Sequence, residues 1–138
     1  MYKTASGFHS IETKMFIEIM FNKCFGGFGF SSKALRLYCE LTGASEPSSR
    51  HDPVMVSIVK DLGREANGHG ADIAFESISA KFENYYEIQE YDGIESVHIR
   101  HSDYKINVAK TILADETLSH AERVERARAL LSTKDDDL

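Results

Sequence analysis

Lys23, Cys24, Gly26, Gly27, Gly29 and Ser31 fall in one short stretch, with Phe25, Phe28 and Phe30 threaded between them. Glycine opens backbone angles closed to other residues. A strand, then a glycine loop, then a helix aims main-chain N–H groups out of a sheet end, where an anion can sit. Ser31 and Ser32 are natural helix N-caps, and Lys23 would add positive charge. The chemistry on offer is the binding of a phosphate or other small anion. The loop is not a Walker A motif, because no Gly-Lys-Ser/Thr closes it, and its glycine spacing differs from the dinucleotide fingerprint. Two other readings compete. In one, Phe25, Phe28 and Phe30 plug the core and the glycines only let the backbone pass close. In the other, Phe25 or Phe28 faces outward and anchors a protein partner. Cys24 as a nucleophile has no histidine at supporting spacing; it reads as a small buried residue.

A second group sits farther along. Asp92-Gly93 is a strong two-residue turn signal between Tyr85–Tyr91 and Ile94–Arg100. The turn fixes the register, so Tyr86, Ile88, Val97 and Ile99 share an inward face. Tyr85, Glu87, Gln89, Tyr91, Ser96, His98 and Arg100 share the other. Tyr85, Tyr91, His98 and Arg100 can stack on and hydrogen-bond a ligand or partner. The plainer reading is a solvated sheet face with a Glu87–His98 pair worth under about 1 kcal/mol. His98 and His101 are three apart on a strand and point to opposite faces, which is poor metal geometry. No metal and no cofactor is expected.

These groups need elements to hold them. Phe16–Phe21 is apolar on both faces, with Ile17, Ile19 and Phe21 on one and Phe16 and Met20 flanking Glu18 on the other. Such a strand belongs in the middle of a sheet. Ala34, Leu37, Tyr38 and Leu41 recur at helical spacing, with Gly43 as the stop. After a Ser-rich loop, Asp52-Pro53 starts a helix with Met55, Ile58, Val59 and Leu62 as its stripe. Gly63 ends that helix or admits one more turn through Ala66. Residues 67–70 form a turn before a strand over Ala71–Ile78. Two helices follow the hairpin: one carries Ile106, Ala109, Ile112 and Leu113, the other opens on a Ser119/Glu122 capping box. The expected fold is α+β, a small mixed sheet of about four strands with helices packed on it. Residues 1–13 read as an arm, 14–132 as a single domain, and 133–138 as an acidic tail.

Composition narrows the classes. Sixteen Lys and Arg against 22 Asp and Glu leave a net charge of −6, which argues against a nucleic-acid partner. Two cysteines, Cys24 and Cys39, are not a disulfide framework and suit a reducing compartment. No apolar run approaches membrane-spanning length, and the first residues lack the apolar core of a signal peptide. The expectation is an intracellular protein, neither secreted nor membrane-embedded.

Three stretches together resemble a small uncharacterised protein family of tailed bacteriophages and large DNA viruses. They are Asn22 to Ser31; Asp52-Pro53-Val54 leading to Asp61-Leu62-Gly63 and Ala66-Asn67-Gly68; and Tyr86-Glu87-Ile88 through Glu90-Tyr91-Asp92-Gly93-Ile94-Glu95. The chain departs from that pattern near Ser96, where an aromatic is expected, and at Arg100-His101, where the order is reversed. The family has no agreed enzymatic activity, so the resemblance implies no catalytic residues. It implies a virus-encoded accessory or virion protein acting in the infected cell, in the host cytoplasm or the particle. A non-enzymatic protein binding a host or viral protein is thus the first expectation, and a homo-oligomer stays open. The alternative is a small phosphate-containing ligand, such as a nucleotide, held at the glycine loop. The binding candidates are Lys23, Cys24, Phe25, Gly26, Gly27, Phe28, Gly29, Ser31, Tyr85, Tyr91, His98 and Arg100.

Overall fold

The computed structural model describes residues 15–138, so the expected arm over residues 1–13 lies outside the described residues. The fold is α+β, with four α-helices and four strands among the described residues. The chain divides into two compact units, one ending at His98 and the other spanning Ile99–Leu138.

In the first unit β1 (Phe16–Asn22) pairs antiparallel with β2 (Ile73–Ser79), in a register that sets Met20 opposite Phe75 and Asn22 opposite Ile73. Opposed residues share a face. On one face Met20 packs with Ala34, Tyr38, Met55, Ile58, Val59 and Ala66, and Ile73 and Phe75 lie against this cluster. On the other, Ile19 and Ile78 are buried. β1 is therefore apolar on both sides because both sides are covered.

The two helices over the first face are α1 (Ser32–Thr42) and α2 (Pro53–Leu62). Ser31 caps α1 by accepting from the Ala34 N–H, and Gly43 ends it in the left-handed conformation at φ 80°. Asp52 caps α2 through Oδ1, which accepts from the Val54 and Met55 N–H groups. Its Oδ2 accepts from the Tyr38 hydroxyl at 2.6 Å, so one carboxylate both caps α2 and ties it to α1. That bond, then desolvation and the nearby charge, pushes the Tyr38 hydroxyl above its ordinary value. The expected α1 stripe needs one correction: Leu41 is exposed, and Leu35 packs on the core. Beyond Gly63 a 3-10 turn runs to Ala66, which is buried.

β3 (Tyr86–Tyr91) and β4 (Ile94–Ile99) form the expected hairpin. Asp92 and Gly93 both have positive φ, 53° and 90°, as a type I′ turn requires. The strands do not make one mixed sheet. They form two separate two-stranded antiparallel sheets, β1–β2 and β3–β4. The reason lies on the outer edge of β1, whose polar groups go elsewhere. The Met20 N–H donates to the Arg50 carbonyl at 2.8 Å, the Met20 carbonyl accepts from Arg50 Nη1, and the Asn22 N–H donates to Glu95 Oε1 at 2.9 Å. At Met20 and Asn22 these bonds take the positions that a hairpin strand would use.

The second unit holds α3 (His101–Leu113) and α4 (His120–Ser132), which pack on one another and bury Ala109 and Ala127. Ser119 and Glu122 complete the expected capping box. Lys105 and His101 both lie against Asp135, at 3.3 and 3.7 Å. No helix among the described residues is long and apolar enough to cross a membrane.

Candidate functional site

Asn22, the last residue of β1, is wholly buried. Its side chain is fully engaged. Nδ2 donates to the carbonyls of Cys24, at 2.7 Å, and Gly93, at 2.8 Å, while Oδ1 accepts from the Asp72 N–H at 2.7 Å. The Cys24 thiol lies 3.3 Å from the same Oδ1 and 2.9 Å from the Gly70 carbonyl. An amide fits here because two carbonyls need donors and one N–H needs an acceptor. Asn22 thus joins the start of the glycine loop to the turn before β2 and to the hairpin turn.

Glycine contacts lock the same three segments. A Cβ on Gly26 would fall 1.7 Å from the Gly70 carbonyl oxygen, and a Cβ on Gly93 would fall 2.0 Å from the Phe25 carbonyl oxygen. Farther on, the Gly68 N–H donates to the Gly29 carbonyl, the Ser31 N–H donates to the Ala66 carbonyl, and Phe30 bridges Asn67. The glycines let three backbones meet at contact distance.

Beneath this junction Glu95 and Arg50 form a two-pronged ion pair, Oε1–Nη1 2.7 Å and Oε2–Nη2 3.0 Å. The Arg50 guanidinium also lies 3.5 Å from the centre of the Phe28 ring. Phe28 in turn meets Phe30 edge-on at 5.0 Å. Burial alone would raise the Glu95 carboxyl. Hydrogen bonds from Arg50 and the Asn22 N–H, with the Arg50 charge, outweigh it and hold the group below the usual carboxylate range. Beside Arg50, His51 Nδ1 lies 2.6 Å from the Tyr86 hydroxyl and Nε2 lies 3.3 Å from Glu83. Desolvation is the main cause that raises the Tyr86 hydroxyl.

The expected site residues divide on this frame. Phe28 and Phe30 are half-buried against the core, but Phe25 is 69% exposed. Lys23 is exposed and 3.9 Å from Asp72, and does not line the nearest cleft. That cleft, about 350 Å³, is walled by Phe28, Gly29, Phe30, Ser48, Ser49 and Arg50, among others. Ser31 is committed to the α1 cap and to the Glu65 carbonyl. Cys24 is half-buried. On the hairpin Tyr85 is half-buried, whereas Tyr91 and His98 are exposed. Tyr91 flanks the turn and His98 stands near the far end of β4, roughly 13 Å along a strand. Arg100 belongs to the second unit and pairs with Asp103 at 3.3 Å. The structure brings the glycine loop to the hairpin turn, and does not gather Tyr91 and His98 at one point.

Sequence reasoning missed Asn22, Arg50 and Glu95 as a group. One signal was present: strand alternation puts Glu95 on the face of Val97 and Ile99, so a carboxylate points inward and needs a cation. Among the described residues, no group of three or more His, Cys, Asp or Glu side chains is arranged to hold a metal ion. No protein-family model, curated protein or solved structure matches the chain.

Proposed function

We propose that this chain is a non-enzymatic interaction protein that binds a protein partner through the tip carrying Phe25 and Tyr91. The observation that supports this is an exposed Phe25 on a loop held from two sides. Gly26 is seated against Gly70, and the Phe25 carbonyl against Gly93. Tyr91, 82% exposed, flanks the turn that Gly93 closes. A large aromatic side chain on a fixed backbone loses little freedom on binding, and aromatic anchors of this kind dominate interface energetics. With the resemblance to the phage and large-virus family, the reading extends to a virus-encoded accessory or virion protein. Its partner would be a host or viral protein in the infected cell's cytoplasm or in the particle.

The test is capture from infected-cell lysate by the wild-type chain, by Phe25→Ser/Tyr91→Ser, and by Glu87→Ser as a surface control. A partner retained by wild type and control but lost from the double variant, with melting unchanged, supports the tip. Equal capture by all three chains removes it.

The cleft beside Gly29 favours a second reading, a small phosphate-containing ligand with the Ser48 and Ser49 hydroxyls in reach. Native mass spectrometry of gently purified protein decides it. An excess mass that is lost on denaturation, and lost again in Ser49→Leu, supports the ligand; an unladen chain in the presence of millimolar nucleotide removes it.

A further inference from the structure

The two outer edges of the β1–β2 sheet are treated differently. Lys23 donates to the Asp72 carbonyl and Ala80 to the Met15 carbonyl. These two bonds fix the parity of the ladder. Ile17–Ile78, Ile19–Glu76 and Phe21–Ala74 are the pairs that exchange hydrogen bonds, and the alternate pairs turn their N–H and C=O groups away from one another. Two further bonds agree: the outward N–H of Asn22 goes to Glu95, and that of Ile73 goes to Asn67 Oδ1 at 3.0 Å. The outer edge of β1 is closed by Arg50 and Glu95 over Met20 and Asn22. On β2 the outward groups of Phe75 and Ser77 face away from β1, with no further strand in the sheet among the described residues, and Glu76 and Ser77 are exposed.

Beside that edge lies a cleft of about 360 Å³ between β2 and the end of α2, walled by Val59, Lys60, Gly63, Arg64, Asn67, Asp72, Ile73 and Phe75. Lys60 is paired with Glu18 and stands 5.4 Å from the centre of the Phe75 ring. Arg64 is exposed and has no acidic partner among the described residues.

We propose that the β2 edge binds an extended acidic peptide as a third strand. Phe75 and Ser77 would supply its main-chain hydrogen bonds, alternate apolar side chains would enter the cleft against Val59, Ile73 and Phe75, and an acidic side chain would meet Arg64. Strand addition draws affinity from the backbone and selectivity from the pockets beside it. The occupant sets an acidic side chain toward the cleft because Lys60 is paired with Glu18 and Asp72 lies 3.9 Å from Lys23, which leaves Arg64 as the uncommitted charge among the residues that wall it. This surface is separate from the Phe25–Tyr91 tip and does not depend on it.

The experiment is fluorescence anisotropy of a labelled, capped Thr-Val-Ser-Glu-Ser-Val-Thr peptide, whose two Val and one Glu share the face that alternation turns to the cleft, with the full chain, backed by amide hydrogen exchange. Binding should slow exchange at Phe75 and Ser77. Ser77→Pro removes an outward N–H that β1 does not use, so melting should hold while affinity falls at least tenfold. Arg64→Glu should weaken the acidic peptide and favour its Lys-for-Glu counterpart, an inversion that a merely structural arginine would not produce. No binding at millimolar peptide, protection at other amides, or equal affinity in Ser77→Pro overturns the proposal. Self-association abolished by Ser77→Pro also overturns it, because a second copy would then occupy the edge.

Discussion

Glu95 and Arg50, drawn from the hairpin and from the loop before α2, face one another fork to fork, with both oxygens and both terminal nitrogens engaged. Glu95 is buried and Arg50 is partly exposed. Removing one member of such a pair strands the other's charge, which costs about 3–5 kcal/mol when burial is complete; the exposure of Arg50 lowers the expectation. Glu95→Gln should lose about 2 kcal/mol in urea denaturation. Arg50→Lys should lose nearly as much, because lysine offers a point charge without the fork or the stacking on Phe28. A loss well under about 0.5 kcal/mol for both would mean that solvent screens the pair.

The same carboxylate sets a pH dependence. Its folded-state proton affinity is lowered, so the unfolded chain binds that proton more tightly. Ionised Glu95 then adds stability above the unfolded carboxylate value, about 4.3. That contribution is lost as pH falls through the lower folded value. Glu65, Asp115 and Glu122 are shifted the same way by their own partners, so wild type alone does not isolate the effect. The gap in melting temperature between wild type and Glu95→Gln should be full at pH 6 and narrow steadily below about pH 4. A constant gap would refute the assignment.

Local rules carried much of the fold into the sequence. Asp92-Gly93 demanded a primed turn and has one; Asp52-Pro53 and Ser119 with Glu122 marked helix starts correctly; the alternation in Phe16–Phe21 announced a strand covered on both faces. Its expected place in the middle of a sheet was wrong, because among the described residues β1 pairs with β2 alone. Long-range pairing was not legible. The expected strand stopped at Phe21 and gave Asn22 no role, because its partners Asp72 and Gly93 come from distant stretches and no local pattern announces them. The expected single sheet failed for a related reason: Arg50, through its carbonyl and guanidinium, and the Glu95 carboxylate, not a neighbouring strand, satisfy the outer edge of β1 at Met20 and Asn22. The glycine loop was visible as a special backbone, but what it passes close to was not.

Asn22 gives a sharper test of the junction. Asn22→Ala leaves the Cys24 and Gly93 carbonyls and the Asp72 N–H without their partner in a buried site, at about 1–3 kcal/mol for each group left unsatisfied. Asn22→Asp keeps the shape but turns an acceptor toward the two carbonyls that Nδ2 now serves. We expect a loss of at least about 3 kcal/mol for both, with Asp the worse at pH 7 and closer to Ala once protonated at low pH. Thermal melts at both pH values check the order. An Asp variant as stable as wild type at pH 7 would mean that the amide is not the tie.

The glycines separate a loop built for backbone contact from one built for a ligand. Gly26 has the Gly70 backbone where its Cβ would go, and no side-chain rotation relieves that clash. Gly29 has nothing within 4 Å of that position, and its φ lies outside the left-handed region. If contact is the reason for glycine, Gly26→Ala should lose at least about 2–3 kcal/mol, the range for forced overpacking, while Gly29→Ala stays within about 0.5 kcal/mol. Gly27 makes a third case: its surroundings are open but its φ is 88°, so Gly27→Ala should cost about 1 kcal/mol from backbone strain alone. Denaturant titration of the three variants reads the order Gly26, Gly27, Gly29 directly. The reverse order, with Gly29→Ala the most damaging, would show that packing against Gly70 does not explain the loop.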